Sequence, residues 1–181
     1  MSDEAIDARD IDLAALGTDR AVKGKDDVVV KATSQYISFR VGEEEYGVDI
    51  MLVREIKGWV GVTSLPNTPK YMRGVLNLRG IIVPIFDLRC RFGMDRTEAT
   101  NLHVVVIVQV GERTMGILVD AVSDILTVTE DDINSVPDID QRQDGEYLNG
   151  LLTVDERMVG LLNLNALFNL DAIASGAQMA G

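Results

Sequence analysis

A mainly β fold made from two related copies of one small unit is what this sequence predicts, on three observations. Apolar stretches are short and frequent, and glycine punctuates them closely, the pattern of barrels or sandwiches and not of βαβ units. The chain also matches itself at a nearly constant spacing. Finally, 46% hydrophobic and 25% charged residues over 181 positions supply a core, with no apolar run long enough to span a bilayer.

The elements follow in order. Residues 1–33 mix acids with Lys23, Lys25 and Lys31, lack a sustained period, and are expected to be a disordered N-terminal extension. Tyr36-Ile-Ser-Phe-Arg-Val41 alternates as a strand, and Gly42-Glu-Glu-Glu45 turns the chain before Tyr46-Gly-Val48 resumes. Asn67-Thr-Pro69 places cap residues before a proline, with Gly74 as a stop, and predicts a short helix there. Val75-Leu-Asn-Leu78 runs into Arg79-Gly80 and out through Ile81-Ile-Val-Pro-Ile-Phe86, a hairpin whose glycine relieves the turn. A strand from His103 to Val110 is closed by Gly111-Glu112 before Met115-Gly-Ile-Leu-Val119. Glu130-Asp-Asp132 lacks the spacing of a calcium loop and reads as a helical turn begun by Thr129. Leu164, Leu167 and Phe168 fall on one face of a short terminal helix, and residues 171–181 form an Ala/Gly-rich flexible tail.

The duplication is the strongest signal. Residues 36–56 match 105–125 at an offset of 69: Gly42-Glu43 falls on Gly111-Glu112, Gly47 on Gly116, Val53 on Val122 and Ile56 on Ile125. Further on the offset is 76, so that Gly74-Val-Leu falls on Gly150-Leu-Leu, Asp87-Leu88 on Asn163-Leu164 and Phe92 on Phe168. The seven-residue difference is an insertion within the polar segment 129–145, where a longer loop costs little. Each copy is expected to hold about five short strands. The boundaries this predicts are a first barrel over 34–97 and a second over 98–170, together one domain.

Charge and chemistry narrow the function. With 29 acids against 17 Lys and Arg, a net charge of −12 argues against nucleic acid and against direct contact with anionic membrane. Cys90 is the single cysteine, so no internal disulfide can form, and the acidic start lacks the features of a secretory signal; a cytoplasmic protein is expected. His103 has no second imidazole with which to share a metal, and Cys90 has no base in its sequence context. No catalytic, metal or cofactor constellation is therefore expected, and what remains is surface. A crevice between two copies is a natural seat for an amphipathic helix.

Several runs resemble one family. Glu44-Glu-Tyr-Gly-Val-Asp-Ile50 with Val53-Arg-Glu-Ile56, and Asn67-Thr-Pro69 leading to Arg73-Gly-Val-Leu-Asn-Leu-Arg-Gly80, are similar to the CheW family of chemotaxis coupling proteins. So are Ile82-Val-Pro-Ile-Phe-Asp-Leu-Arg89, Val119-Asp-Ala-Val-Ser-Asp124 and Glu146-Tyr-Leu-Asn-Gly150, a likeness that covers residues 35–170. The resemblance implies two five-stranded SH3-like barrels sharing an apolar core. It implies a non-enzymatic adaptor, recruited to receptor arrays at the inner face of the membrane. Its partners would be the cytoplasmic helical hairpin of methyl-accepting chemoreceptors and the regulatory domain of the histidine kinase CheA.

Carried over by residue, the receptor-binding groove would comprise Val53, Glu55, Gly74, Asn77, Leu78, Arg79, Gly80, Val104, Ile125 and Gly150, with the kinase contacts unassigned. Val53, Val104 and Ile125 have a plainer reading as core, and Gly74 and Gly150 as backbone requirements. Arg79 and Glu55 stand out because their repeat partners are Asp155 and Asp124, so a barrel does not itself require an arginine at that turn. Two other readings remain: an adaptor of another chemosensory pathway such as pilus motility, and a double barrel that binds a small metabolite.

Overall fold

A computed structural model describes residues 30–137 and 147–168. The expectations for most of the N-terminal extension, for the C-terminal tail and for part of the inserted segment lie outside these residues. The described residues form ten strands: β1 (Thr33–Val41), β2 (Glu44–Asp49), β3 (Val53–Gly58), β4 (Met72–Leu78), β5 (Ile81–Asp87), β6 (Val104–Val110), β7 (Arg113–Val119), β8 (Ala121–Thr129), β9 (Leu148–Val154) and β10 (Arg157–Leu162). Two short helices, α1 (Leu88–Arg91) and α2 (Leu164–Phe168), each follow the last strand of a repeat.

The strands form two five-stranded sheets, in the orders β3-β6-β7-β5-β4 and β8-β1-β2-β10-β9. Isolated bridges, Thr63 to Val75 in the first and Asn134 to Leu151 in the second, carry each edge toward closure as a barrel. Three apolar clusters fill the structure. Val83, Ile85, Val105, Ile107 and Leu118 pack inside the first barrel, and Leu126, Val128, Leu152, Val159 and Leu161 inside the second. Between them lies the largest cluster, with Phe39, Val48, Phe86, Val106, Ile117, Leu167 and Phe168 buried in it. The mainly β double barrel with a shared core is thus the observed fold.

The composition of each barrel differs from the boundary expected at 97/98. That boundary separates the two repeats but not the two sheets. The first sheet combines β3, β4 and β5 of the first repeat with β6 and β7 of the second, and the other sheet makes the reciprocal exchange. The cause is local. After β2 a 3-10 turn, Ile50–Leu52, capped by the Asp49 side chain, redirects the chain so that β3 pairs with β6 instead of staying beside β1. Each repeat lends its opening hairpin to the other.

The exchange is symmetric down to its irregularities. A bulge at Arg54, between the pairs Val53–Val108 and Glu55–Ile107, recurs at Ser123 between Phe39–Val122 and Ser38–Asp124. A second, at Arg73, recurs at Asn149. Bulges bend and twist a strand, which is what closing a small barrel demands. The parallel pairs, β5 with β7 and β10 with β2, complete the correspondence.

No helix forms at residues 67–74; the segment is two tight turns, with Asn67 in the left-handed region at φ 57° and Met72 N–H donating to the Pro69 carbonyl. Cap-type residues and proline serve turns as readily as helix starts. Gly74 is not a helix stop but a strand residue at φ 145°. A Cβ built on it would lie 2.2 Å from the Thr63 carbonyl oxygen, so the bridge that closes the barrel requires a bare backbone there. The helical turn expected after Thr129 is present as Glu130–Asp132, with Asp132 accepting from both Thr129 N–H and its hydroxyl.

Arg91 sits where the repeats meet. Its guanidinium lies 5.0 Å from the ring of Tyr71 and 4.6 Å from that of Tyr147, which are repeat equivalents, while Nε donates to the Leu167 carbonyl. Replacing Arg91 with Lys should destabilise the protein by about 2–3 kcal/mol, because a point charge cannot stack between two rings and keep that bond. A urea midpoint equal to wild type would exclude this role.

Candidate functional site

Glu55 and Arg79, singled out separately in the sequence, come together in the structure. Arg79 Nη2 donates to Glu55 Oε2 at 2.6 Å, joining β3 to the β4–β5 turn. Arg79 opens the β4–β5 hairpin turn, and both turn residues have positive φ, 51° at Arg79 and 90° at Gly80. That geometry suits a two-residue turn between twisted strands. Asn77 Oδ1 fixes it by accepting from the Gly80 N–H. The turn is thus rigid and presents the guanidinium, whose side chain is 72% exposed, toward Glu55.

Arg79's hydrogen bond holds the Glu55 carboxyl below its ordinary value; partial burial opposes this, and the charges of Arg79 and Lys57 reinforce it. The same bond raises Arg79. Both groups stay charged at neutral pH, and in so exposed a setting their value lies in shape and charge display more than in stability. A folded pKa below the unfolded one means the pair contributes above the ordinary carboxylate range and is lost as pH falls through the lowered value.

Exposed apolar residues follow the pair along both strands. Ile81 and Ile82, opposite Leu78 and Asn77 across the hairpin, are 58% and 59% exposed, and Ile56 on β3 is exposed as well. By register Glu55 and Ile81 share the sheet face of Ile107 and Leu78, whereas Ile56 and Ile82 project from the opposite face. An ion pair with an exposed isoleucine on its own face can hold a helix by apolar contact and orient it by charge. Leu78 itself packs half-buried against the interior of the first barrel.

The remaining candidates are placed differently. Val53 and Val104 are half-buried against the core shared by the barrels. Val104 belongs to β6, which pairs with β3 in the first sheet, so it does not line the second barrel. Ile125 and Gly150 lie in the other sheet, Ile125 with 53% of its surface exposed and Gly150 buried. A Cβ on Gly150 would meet the Ile133 methyl at 2.5 Å, the counterpart of the Gly74 crossing. The two glycines therefore have a packing reason of their own.

Sequence reasoning passed over Asp87. Fully buried, it accepts from Thr97 N–H at 2.8 Å, Thr97 hydroxyl at 2.7 Å, Arg73 Nη1 at 3.3 Å and Cys90 N–H at 3.3 Å. An Asp immediately before a short helix was the available signal. Among the described residues no group of three or more potential ligands could hold a metal, and no helix is long and apolar enough to cross a membrane.

Two SH3-like barrels built by strand exchange, with an accessible charged pair at the β4–β5 turn, define a class of binding scaffold. Comparison with known proteins makes the class specific. The CheW-like domain family matches residues 35–172. A probable chemotaxis protein CheW of Rhizobium etli is 47% identical over 135 residues, 75% of this chain and 87% of that protein. The chemotaxis protein CheW of Klebsiella aerogenes is 41% identical over 140 residues, covering 77% and 84%. Among solved structures, the scaffolding protein TtCheW of Thermoanaerobacter tengcongensis matches with a TM-score of 0.69 at 31% identity, over 77% of this chain and 90% of that one. The chain belongs to the CheW-like family of chemotaxis scaffolds.

Proposed function

We propose that this protein is a non-enzymatic, cytoplasmic adaptor that couples the helical hairpin tips of chemoreceptors to the regulatory domain of the histidine kinase CheA. The observation that carries the reading is the Glu55–Arg79 pair on its hydrogen-bonded turn, with exposed Ile81 on the same sheet face. Helices pack by apolar ridges and are registered by charge, and this surface offers both. Val53, Asn77, Leu78 and Gly80 support it from β3 and the hairpin. Val104, Gly74 and Gly150 contribute by shaping the barrels, and Ile125 belongs to a separate patch on the other sheet.

The test is co-sedimentation with a receptor cytoplasmic fragment and the kinase. Wild type should bridge the two, whereas Arg79→Glu should lose receptor by tenfold or more, keep the kinase and unfold at the wild-type urea midpoint. The reversed pair, Glu55→Arg with Arg79→Glu, restores the internal contact. Regained receptor binding would mean the pair positions the surface; continued loss would mean the guanidinium itself touches the receptor. A wild-type protein that pellets with neither partner would sink the reading.

A further inference from the structure

We propose that the cavity between residues 64–73 and the turn after α1 binds a small phosphate-bearing molecule. The cavity is about 500 Å³, a size usual for small-molecule sites. Lys70, Arg73 and Arg96 line it, together with Ser64 and Thr68, and Asp95 is the single acid on its wall. In a chain of net charge −12, three cations around one cavity run against the overall balance.

These cations are open to a ligand. Neither Lys70 nor Arg96 makes a hydrogen bond or ion pair with another described residue. Arg73 is held in place from behind: Nη1 donates to Asp87 and to the Thr97 carbonyl, and the guanidinium carbon lies 5.3 Å from the centre of the Trp59 ring. Its Nε and Nη2 donate to no described residue, leaving half of the fork available. Burial is the main reason Arg73 holds its proton less tightly than a free guanidinium, and the nearby charge of Arg96 is the next. An anion between the two guanidiniums would relieve that repulsion.

The duplication separates the charge the fold needs from the charge it does not: Arg73 balances the buried Asp87 carboxylate, whereas Lys70 and Arg96 have no such partner. At the equivalent bulge the second repeat has Asn149, which donates to the Leu162 carbonyl, and the neutral Asn163 caps α2 as Asp87 caps α1. The same junction is therefore built without a cation. A dianionic phosphate suits two guanidiniums and an ammonium better than a single carboxylate does, because forked donors match its oxygens and its charge is larger.

The experiment is a titration of the full-length protein with pyrophosphate, followed by the backbone amide and arginine Nε–H resonances, with citrate in parallel. Saturable shifts are expected at residues 70–73 and at Arg96. Affinity should fall at least tenfold in Arg96→Glu and further in Lys70→Glu/Arg96→Glu, less in Arg96→Gln, and not in Arg113→Glu, which makes the same charge change as Arg96→Glu at an exposed position on β7. Lys70 and Arg96 are exposed, so the variants should keep the wild-type unfolding midpoint. The proposal fails if no shift saturates, if Arg113→Glu loses as much, or if citrate binds as tightly as pyrophosphate.

Discussion

Gly74→Ala is expected to cost about 3 kcal/mol or more, while Gly150→Ala, its repeat counterpart, should cost about 1–2 kcal/mol. The two differ in what the added methyl meets. At Gly74 the obstacle is backbone, the Thr63 carbonyl oxygen at 2.2 Å and its carbon at 2.8 Å, in a conformation at φ 145° that L side chains rarely adopt. Relief would require breaking the paired hydrogen bonds between Thr63 and Val75, at 2.9 and 2.8 Å, which close the first barrel. At Gly150 the nearest atom is a methyl of Ile133, half-buried and able to change rotamer, with the Asn134 carbonyl at a more tolerable 3.1 Å. Urea midpoints at constant slope give the comparison directly. Equal costs at the two sites would mean that the carbonyl clash is not what fixes the glycine.

This prediction bears on function as well. If Gly74 mattered by touching a receptor, its replacement would reduce binding at full stability. If it matters through the crossing, binding and stability should fall together. A Gly74→Ala protein with a wild-type midpoint and no receptor binding would return Gly74 to the contact surface.

The repeat was legible because it is written in residues that the geometry constrains: glycines at crossings and tight pairs, apolar residues in the core, and Asp87 and Asn163 as caps. The bulges were not legible, since Arg54 and Ser123, or Arg73 and Asn149, share no chemistry; an extra residue is a property of register between two strands. The strand exchange was hidden for the same reason. The half-buried alternation of β3 suits β1 or β6 as a neighbour equally well, and the turn at Ile50–Leu52 decides between them. Asn67, Thr68 and Pro69 suggested a helix because cap and turn residues are the same residues.

At the site, Glu55 and Arg79 could be named one by one from the resemblance and from the broken symmetry of the repeat. Their contact spans 24 residues and needed the barrel to bring it about. Tyr71 and Tyr147 fall at the offset of 76, so the aromatic pair around Arg91 was open to discovery in the sequence, but nothing there pointed to the arginine between them.

Expressed separately, residues 34–97 and 98–170 should each fail to fold, and mixed they should recover the β-sheet signal and cooperative unfolding of the intact domain. Each fragment holds five strands, which is enough for one barrel by count. In the observed topology, however, β3 is left without β6, β5 without β7, β1 without β8 and β2 without β10. Four strand pairings and the shared core exist only when both fragments are present. Unpaired edges and an exposed apolar face are a poor basis for stability in a chain of about sixty residues. The intact protein avoids this because the linker after α1 makes the second half effectively concentrated near the first. Circular dichroism and urea unfolding of the fragments, alone and at equal concentrations, would decide it. Fragments that each unfold cooperatively would mean that a repeat can close on its own hairpin, with the turn at Ile50–Leu52 flexible enough to let β3 return to β1. The exchange would then be one of two accessible pairings. Fragments that fold only together would make it a requirement, and would tie the Glu55–Arg79 surface to strands from both halves of the chain.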